Sequence, residues 1–220
     1  MELIYKLMPF CLPRLQFIKQ SDALSCLDFG CGDGIVLRQN AAVRPDFKYY
    51  GVDVRDFSHE VPDYVTFTTY NGKTLPYPDK SFDIITVNHV FEHIKDPREI
   101  LMELKRVLKK NGHIYIEVPN RRSLWGKPNG KFAGTVHFFD DPTHLRPYSQ
   151  NELMELCETC GFVIINSGIA RNYFHLLFSP LLMMMGVLFP KKNYYMYARN
   201  SFIGWSSYAI IKKPELETEY

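Results

Sequence analysis

Several functional classes are excluded by what the sequence lacks. Its 26 basic and 24 acidic residues nearly cancel, for a formal charge of +2, so there is no general basic excess to draw the chain to a nucleic-acid backbone. Cysteine comes in an odd number, Cys11, Cys26, Cys31, Cys157 and Cys160, which gives neither a paired disulfide framework nor two CxxC pairs for zinc. A reducing, cytoplasmic setting is the expectation. The apolar run at residues 176–189 contains Pro180 and falls short of the roughly 20 residues a spanning helix needs. The N-terminus is apolar but broken by Pro9 and Pro13, and no small-residue cleavage site follows, so no signal peptide is expected.

What remains is a chain of 220 residues, 46% of them hydrophobic, long enough for one buried core and short for two. A single domain over residues 1–220 is expected, with residues 1–23 as an N-terminal extension. Short apolar runs alternate with helical patterns through the middle of the chain, the mark of a parallel sheet with crossover helices. Residues 24–29, 48–54, 65–70, 82–88 and 113–119 read as strands. Before the last of these a helix is predicted, with Asp96 as N-cap, Pro97 at its first position and an apolar face of Ile100, Leu101, Leu104, Val107 and Leu108. Lys109, Lys110, Asn111 and Gly112 are expected to close it. A second capping box, Ser149 with Glu152, opens a helix carrying Leu153, Leu156, Cys157 and Cys160, where the lone CxxC reads as core packing. Strands at 161–167 and 206–213 complete the pattern. Residues 121–147 and 170–204 have no obvious place in it.

The strongest chemical signal is Asp28-Phe29-Gly30-Cys31-Gly32-Asp33-Gly34, a strand running into a glycine turn and then a helix. Such a turn lets backbone approach a ligand closely. A dinucleotide fingerprint would need glycine where Ile35 stands, so the spacing argues against NAD. The second strand ends in Asp53, placed where a carboxylate can accept from both hydroxyls of a ribose.

Together with Leu75-Pro76-Tyr77-Pro78-Asp79-Lys80-Ser81-Phe82-Asp83, Val90-Phe91-Glu92-His93 and Leu108-Lys109-Lys110-Asn111-Gly112, these motifs resemble the class I S-adenosylmethionine methyltransferases. The similarity is nearest to the small-molecule branch that includes the ubiquinone and menaquinone biosynthesis methyltransferases, and it covers residues 24–167. It implies a Rossmann-like, doubly wound α/β sheet, mostly parallel with an antiparallel final strand, to which this chain adds a C-terminal apolar insertion. It also implies that Gly30, Gly32 and Gly34 line the methionine part of the cofactor, Asp28 helps hold its amino group through the turn, and Asp53 takes the ribose. Asn71, followed by Gly72, stands where the family usually has an aspartate for the adenine amino group. An amide can accept from that amine and donate to a ring nitrogen. Asn88 and His89 sit where relatives contact the methionine end. Glu92 and His93 match too, with a structural role expected.

Methyl transfer to an alcohol or phenol needs alignment and a base for the acceptor proton, and histidine suits neutral pH. His137 and His144 are the candidates, on the loop after the fifth strand, where open α/β sheets hold ligands. Arg146 and Tyr148 resemble a segment bordering the acceptor pocket in relatives. A metal site from His137, Asp140, Asp141 and His144 is conceivable by ligand type, but its spacing is not a recognised one, and no metal is expected. Residues 170–204 are expected to be a lid or a membrane-facing element, because the apolar run is flanked by Arg171, His175, Lys191 and Lys192. The expected activity is methyl transfer to an oxygen of a lipophilic phenol or quinol, or of a lipid-linked glycan. The alternative is a non-catalytic cofactor-binding regulator or scaffold. No DPPY-like or NPPY-like segment follows the fourth strand, which argues against nucleic-acid amino methylation.

Overall fold

Seven strands form one sheet in the order β3-β2-β1-β4-β5-β7-β6. The computed structural model describes residues 12–128 and 132–214, so residues 1–11 of the N-terminal extension, Cys11 among them, lie outside it. The strands are β1 (Ser25–Phe29), β2 (Lys48–Asp53), β3 (Val65–Thr69), β4 (Phe82–Asn88), β5 (Leu108–Pro119), β6 (Val163–Ala170) and β7 (Ser206–Lys212). β1 to β5 run parallel, and β7 inserts antiparallel between β5 and β6. This is the mostly parallel sheet with an antiparallel final strand that the motifs implied.

Every residue of β1 is buried, as expected of a central strand covered on both faces. Alternate side chains feed two cores. Leu27, Phe29, Ile85 and Val87 join a large cluster with Leu101, Leu104, Leu153 and Cys157. Cys26 and Ile84 pack on the other side with Ile18, Leu37 and Tyr49. The helices that supply these partners are α1 (Leu12–Gln20) and α2 (Ile35–Val43) on one face, α3 (Arg98–Val107) and α4 (Gln150–Thr159) on the other. Both arms of the Ser149–Glu152 capping box are present. The four described cysteines are free and buried, and Cys157 and Cys160 belong to the large core.

Two helix-boundary readings need correction. Helix α3 ends at Val107, and Leu108 already has extended backbone and pairs with Phe82. Lys109 to Gly112 are therefore strand, not a helix close. At the other end the helix cap is Pro97, without a side-chain bond, while Asp96 accepts from the Arg98 N–H and pairs with its guanidinium.

The two stretches that fitted no β-α alternation turn out to be each other's partners. Residues 170–204 contain α5 (Tyr173–Leu177), α6 (Ser179–Leu188) and α7 (Tyr194–Ile203). From α7, Arg199 reaches the carbonyls of Val136 and Trp125, and the Asn200 Nδ2 donates to the Thr135 carbonyl at 3.0 Å. The Ala133 N–H donates to the Pro190 carbonyl at 2.9 Å. The insertion is thus fastened to the loop that follows β5, at the C-terminal edge of the sheet. No helix among the described residues is long and apolar enough to cross a membrane.

Candidate active site at the carboxyl edge of the sheet

Strand order reverses at β1, which lies between β2 and β4, and the crevice outside such a point is where open α/β sheets bind ligands. The glycine turn sits there. Gly30, Gly32 and Gly34 have φ of 71, 49 and 80°, a region that side chains other than glycine resist. A Cβ on Gly30 would lie 2.5 Å from Val90 Cγ2, whereas one on Gly32 would meet nothing within 4 Å. The first glycine is required by packing, and the middle one faces open space.

Asp53 fixes this turn to the end of β2. Its Oδ2 accepts from the Gly32 N–H at 3.1 Å and its Oδ1 from the Arg55 N–H at 3.0 Å, with the side chain 8% exposed. Each oxygen keeps a lone pair for a ligand hydroxyl. Beside it, Val54 is exposed and close to Gly72, where a Cβ would approach its Cγ1 at 3.8 Å. An apolar face thus lies next to the loop of Asn71. Asn71 is less open than expected: its Oδ1 already accepts from the Lys73 and Thr74 N–H groups. That uses both lone pairs and leaves the Nδ2 for any contact with a base.

Asp28 is only 2% exposed, which leaves it almost no surface to offer a ligand. Burial lifts its carboxyl to about 7, against the lowering effect of the Thr86 hydroxyl bond and Arg14, and Thr86 Oγ1 donates to it at 2.6 Å. It acts from beneath the turn. Arg14 was missed from the sequence. From α1 its Nε donates to Asn40 Oδ1 at 3.1 Å and its Nη1 to Asn88 Oδ1 at 3.0 Å. Asn88 is thereby oriented, and its buried Nδ2 approaches Asp28 without forming a well-made hydrogen bond in the protein. An under-satisfied buried donor beside the glycine turn is what an acceptor atom of a bound ligand would satisfy.

His89 has a φ of 55°, a backbone state costing about 1–2 kcal/mol for a residue with a Cβ. Two buried carboxylates hold it there. Its Nδ1 lies 3.2 Å from Glu92 Oε1 and its Nε2 3.7 Å from Glu117 Oε1. Burial alone would lower its pKa, but the bonds to Glu117 and Glu92 outweigh that and raise it to about 10. Both ring N–H groups are thus taken by Glu92 and Glu117, which fixes the imidazole at the end of β4 and leaves it no N–H for a ligand.

Beyond it, the loop after β5 brings His144 against His93, with ring centroids 4.8 Å apart. The His144 Nδ1 donates to the Phe138 carbonyl at 2.6 Å, and its Nε2 lies 3.9 Å from Asp141 Oδ2. His93 Nδ1 lies 2.9 Å from Thr143 Oγ1, whose hydroxyl donates to Asp141 at 2.6 Å. His93 is therefore part of this cluster, which the sequence did not indicate. Glu92, His93 and His144 each offer an atom within 4.8 Å of the others. That is a different set from His137, Asp140, Asp141 and His144, and the only one of its kind among the described residues.

Three expected site residues are placed elsewhere. His137 accepts from the Phe139 N–H through Nδ1 and meets the Leu124 carbonyl through Nε2, so both nitrogens are committed to holding the loop. Tyr148 is 1% exposed and lies in the large core, with its hydroxyl on the Phe91 carbonyl at 3.4 Å. It cannot line a pocket. Arg146 is at the surface, stacked 4.5 Å over the Tyr148 ring.

Comparison with known proteins gives the family and the fold. Residues 4–167 match the family described as a methyltransferase domain. An uncharacterised protein of Methanocaldococcus jannaschii is 34% identical over 91 residues, 41% of this chain and 43% of that protein, so the matched stretch spans under half the length of that relative. The demethylmenaquinone methyltransferase of Thermotoga maritima is 26% identical over 171 residues, 68% of this chain and 75% of that one. Among solved structures, the plantazolicin methyltransferase in complex with S-adenosylhomocysteine superimposes with a TM-score of 0.63 at 19% identity, covering 96% of this chain and 84% of that one. With its glycine turn, its Asp53 latch and a family match over most of its length, the chain belongs to the methyltransferase-domain family and has the class I S-adenosylmethionine-dependent fold.

Proposed function

We propose that the chain transfers the methyl group of S-adenosylmethionine to an oxygen of a lipophilic small molecule, a quinol-type phenol or a lipid-linked glycan. The observation that carries this reading is the open face of Gly32, whose N–H is locked to Asp53 beside the under-satisfied donor of Asn88. Those groups suit the cofactor's methionine end and ribose. Asp53 would accept from the ribose hydroxyls, Asn88 Nδ2 would face the methionine carboxylate, His89 would border the methionine end, and Val54 with the Asn71 Nδ2 would border the adenine. When bound, the cofactor supplies an activated methyl group on a sulfonium, so the protein's share is alignment and proton handling. His144 would accept the proton of an acceptor hydroxyl through Nε2, its ring aimed by the bond to the Phe138 carbonyl. The relative named for demethylmenaquinone supports a quinone-type acceptor. The free buried cysteines suit a reducing cytoplasm.

The test is transfer of radiolabel from S-adenosylmethionine to a panel of quinols, phenols and prenyl-linked glycans. Label should enter an extractable product with the wild type and not with Gly32→Val. Tight cofactor binding with no transfer across the panel would favour the non-catalytic reading instead.

A further inference from the structure

α5 and α6 form a nearly continuous apolar rod with two unlike sides. The hydrogen bonds Phe178 N–H to Phe174 carbonyl and Leu182 N–H to Phe178 carbonyl carry the helical path across the junction, both at 3.0 Å. The inner side is attached to α7. Gly186 is buried there, so close that a Cβ would lie 2.5 Å from Tyr195 Cβ, and the buried His175 stacks on Tyr197. The outer side is bare. Phe174, Leu177, Leu181, Met184 and Leu188 are spaced three and four residues apart, which puts them on one helical stripe, and all five are exposed, Leu177 by 74% and Leu188 by 64%. Val187 and Phe189 extend the stripe and are also exposed.

Contiguous exposed apolar surface of this kind marks an interaction site, and its electrical setting says with what. No acidic residue occurs between Glu158 and Glu215. In the same interval stand Arg171, Lys191, Lys192, Arg199, Lys212 and Lys213, and Lys191 and Lys192, directly after the stripe, are exposed. An apolar stripe bordered by the exposed Lys191 and Lys192 complements a surface that is negative outside and hydrocarbon beneath. The rod from 174 to 189 is about 24 Å long at 1.5 Å per residue, too short to span the hydrocarbon core and suited to lying in its interface.

We infer that α5 and α6 dock flat on an anionic lipid bilayer through the stripe Phe174, Leu177, Leu181, Met184 and Leu188, with Lys191 and Lys192 on the headgroups. The insertion is fastened to the loop that carries His144, so docking would hold the acceptor side of the site near the bilayer. That link to a membrane-held acceptor rests on the transfer reading, whereas the docking itself does not.

The experiment is flotation of the full chain with vesicles of phosphatidylcholine alone or mixed with phosphatidylglycerol. Binding is expected to the anionic vesicles, to be at least tenfold weaker on neutral ones, and to fall on raising the salt. Leu181→Glu with Met184→Glu, both at exposed positions, should reduce bound protein at least tenfold while the melting temperature and S-adenosylhomocysteine affinity stay at wild-type values. Lys191→Ala with Lys192→Ala should weaken binding and flatten its salt dependence. The proposal is overturned by absence of flotation, by equal flotation of the Glu variant, by equal binding to neutral vesicles, or by a wild-type dimer that the Glu variant dissociates, which would mean a second copy covers the stripe. A chain that floats but fails to bind S-adenosylhomocysteine would refute the transfer reading and leave the docking intact.

Discussion

Replacing Asp53 by alanine removes the one side chain that ties the glycine turn to β2. In the wild type its carboxylate accepts from two backbone donors, Gly32 N–H at 3.1 Å and Arg55 N–H at 3.0 Å. Hydrogen bonds to a charged acceptor contribute about 1.5–3 kcal/mol each, and a buried donor left unpaired costs about 1–3 kcal/mol. The Gly32 N–H is the donor at risk, so the free protein should lose on the order of 2 kcal/mol of stability. The ribose contact should cost a similar amount of affinity, about 2 kcal/mol, or close to thirtyfold in Kd. Asp53→Asn keeps the shape but turns an NH2 toward one of the two donors, and it should lose nearly as much. Calorimetric titration with S-adenosylhomocysteine, alongside a urea melt, reads both effects. If both variants bind with wild-type affinity, Asp53 does not touch the ligand and the site assignment fails.

His144→Ala should lower turnover on an identified acceptor by about 10²- to 10⁴-fold with cofactor affinity unchanged, as expected for a base that acts only in the transfer step; full turnover would dismiss His144 as the base. His137→Ala removes the side chain that caps the turn at Phe138–Asp140 and should show mainly as a loss of about 1 kcal/mol of stability, with turnover per folded molecule near wild type. Gly30→Ala would place a Cβ 2.5 Å from Val90 Cγ2 at a φ of 71° and should destabilise by about 1–3 kcal/mol; Val90→Ala in the same chain should restore part of it, and no restoration would mean the backbone term dominates. The hydrogen bonds from Arg121 hold the Glu152 carboxyl down at about 2. Because its folded pKa is depressed, its contribution is fully present above the ordinary carboxylate range and is lost as pH falls toward 2. Urea midpoints should therefore fall less steeply below pH 4.5 in Glu152→Gln than in the wild type, and parallel curves would deny the linkage.

The strands were legible because central parallel strands, buried on both faces, must be near-continuous apolar runs, as β1 and β4 are. The glycine turn was legible because its backbone demands glycine and its neighbour demands a carboxylate. Where the reading failed, the deciding contact was remote in sequence. Leu108 continues an apolar helical face, yet its pairing with Phe82 takes it into the sheet. Residues 121–147 and 170–204 looked irregular because each satisfies the other's backbone, through Arg199, Asn200 and Pro190, and such pairing has no local signature. Tyr148 looked like a pocket residue on a ligand-side loop, but its hydroxyl finds the Phe91 carbonyl and its ring the core. Arg14 left one clue, a lone arginine in an apolar segment, and only the fold shows it reaching Asn88.

The central claim is that the crevice at the glycine turn takes S-adenosylmethionine. Isothermal titration of the wild-type chain tests it directly, with S-adenosylmethionine, S-adenosylhomocysteine and NAD run in parallel on the same folded preparation. The account predicts one-to-one binding of both sulfur nucleosides and no heat with NAD, because Ile35 stands where the third dinucleotide glycine is needed. Binding of NAD, or a folded chain that takes up neither S-adenosylmethionine nor S-adenosylhomocysteine, would contradict it.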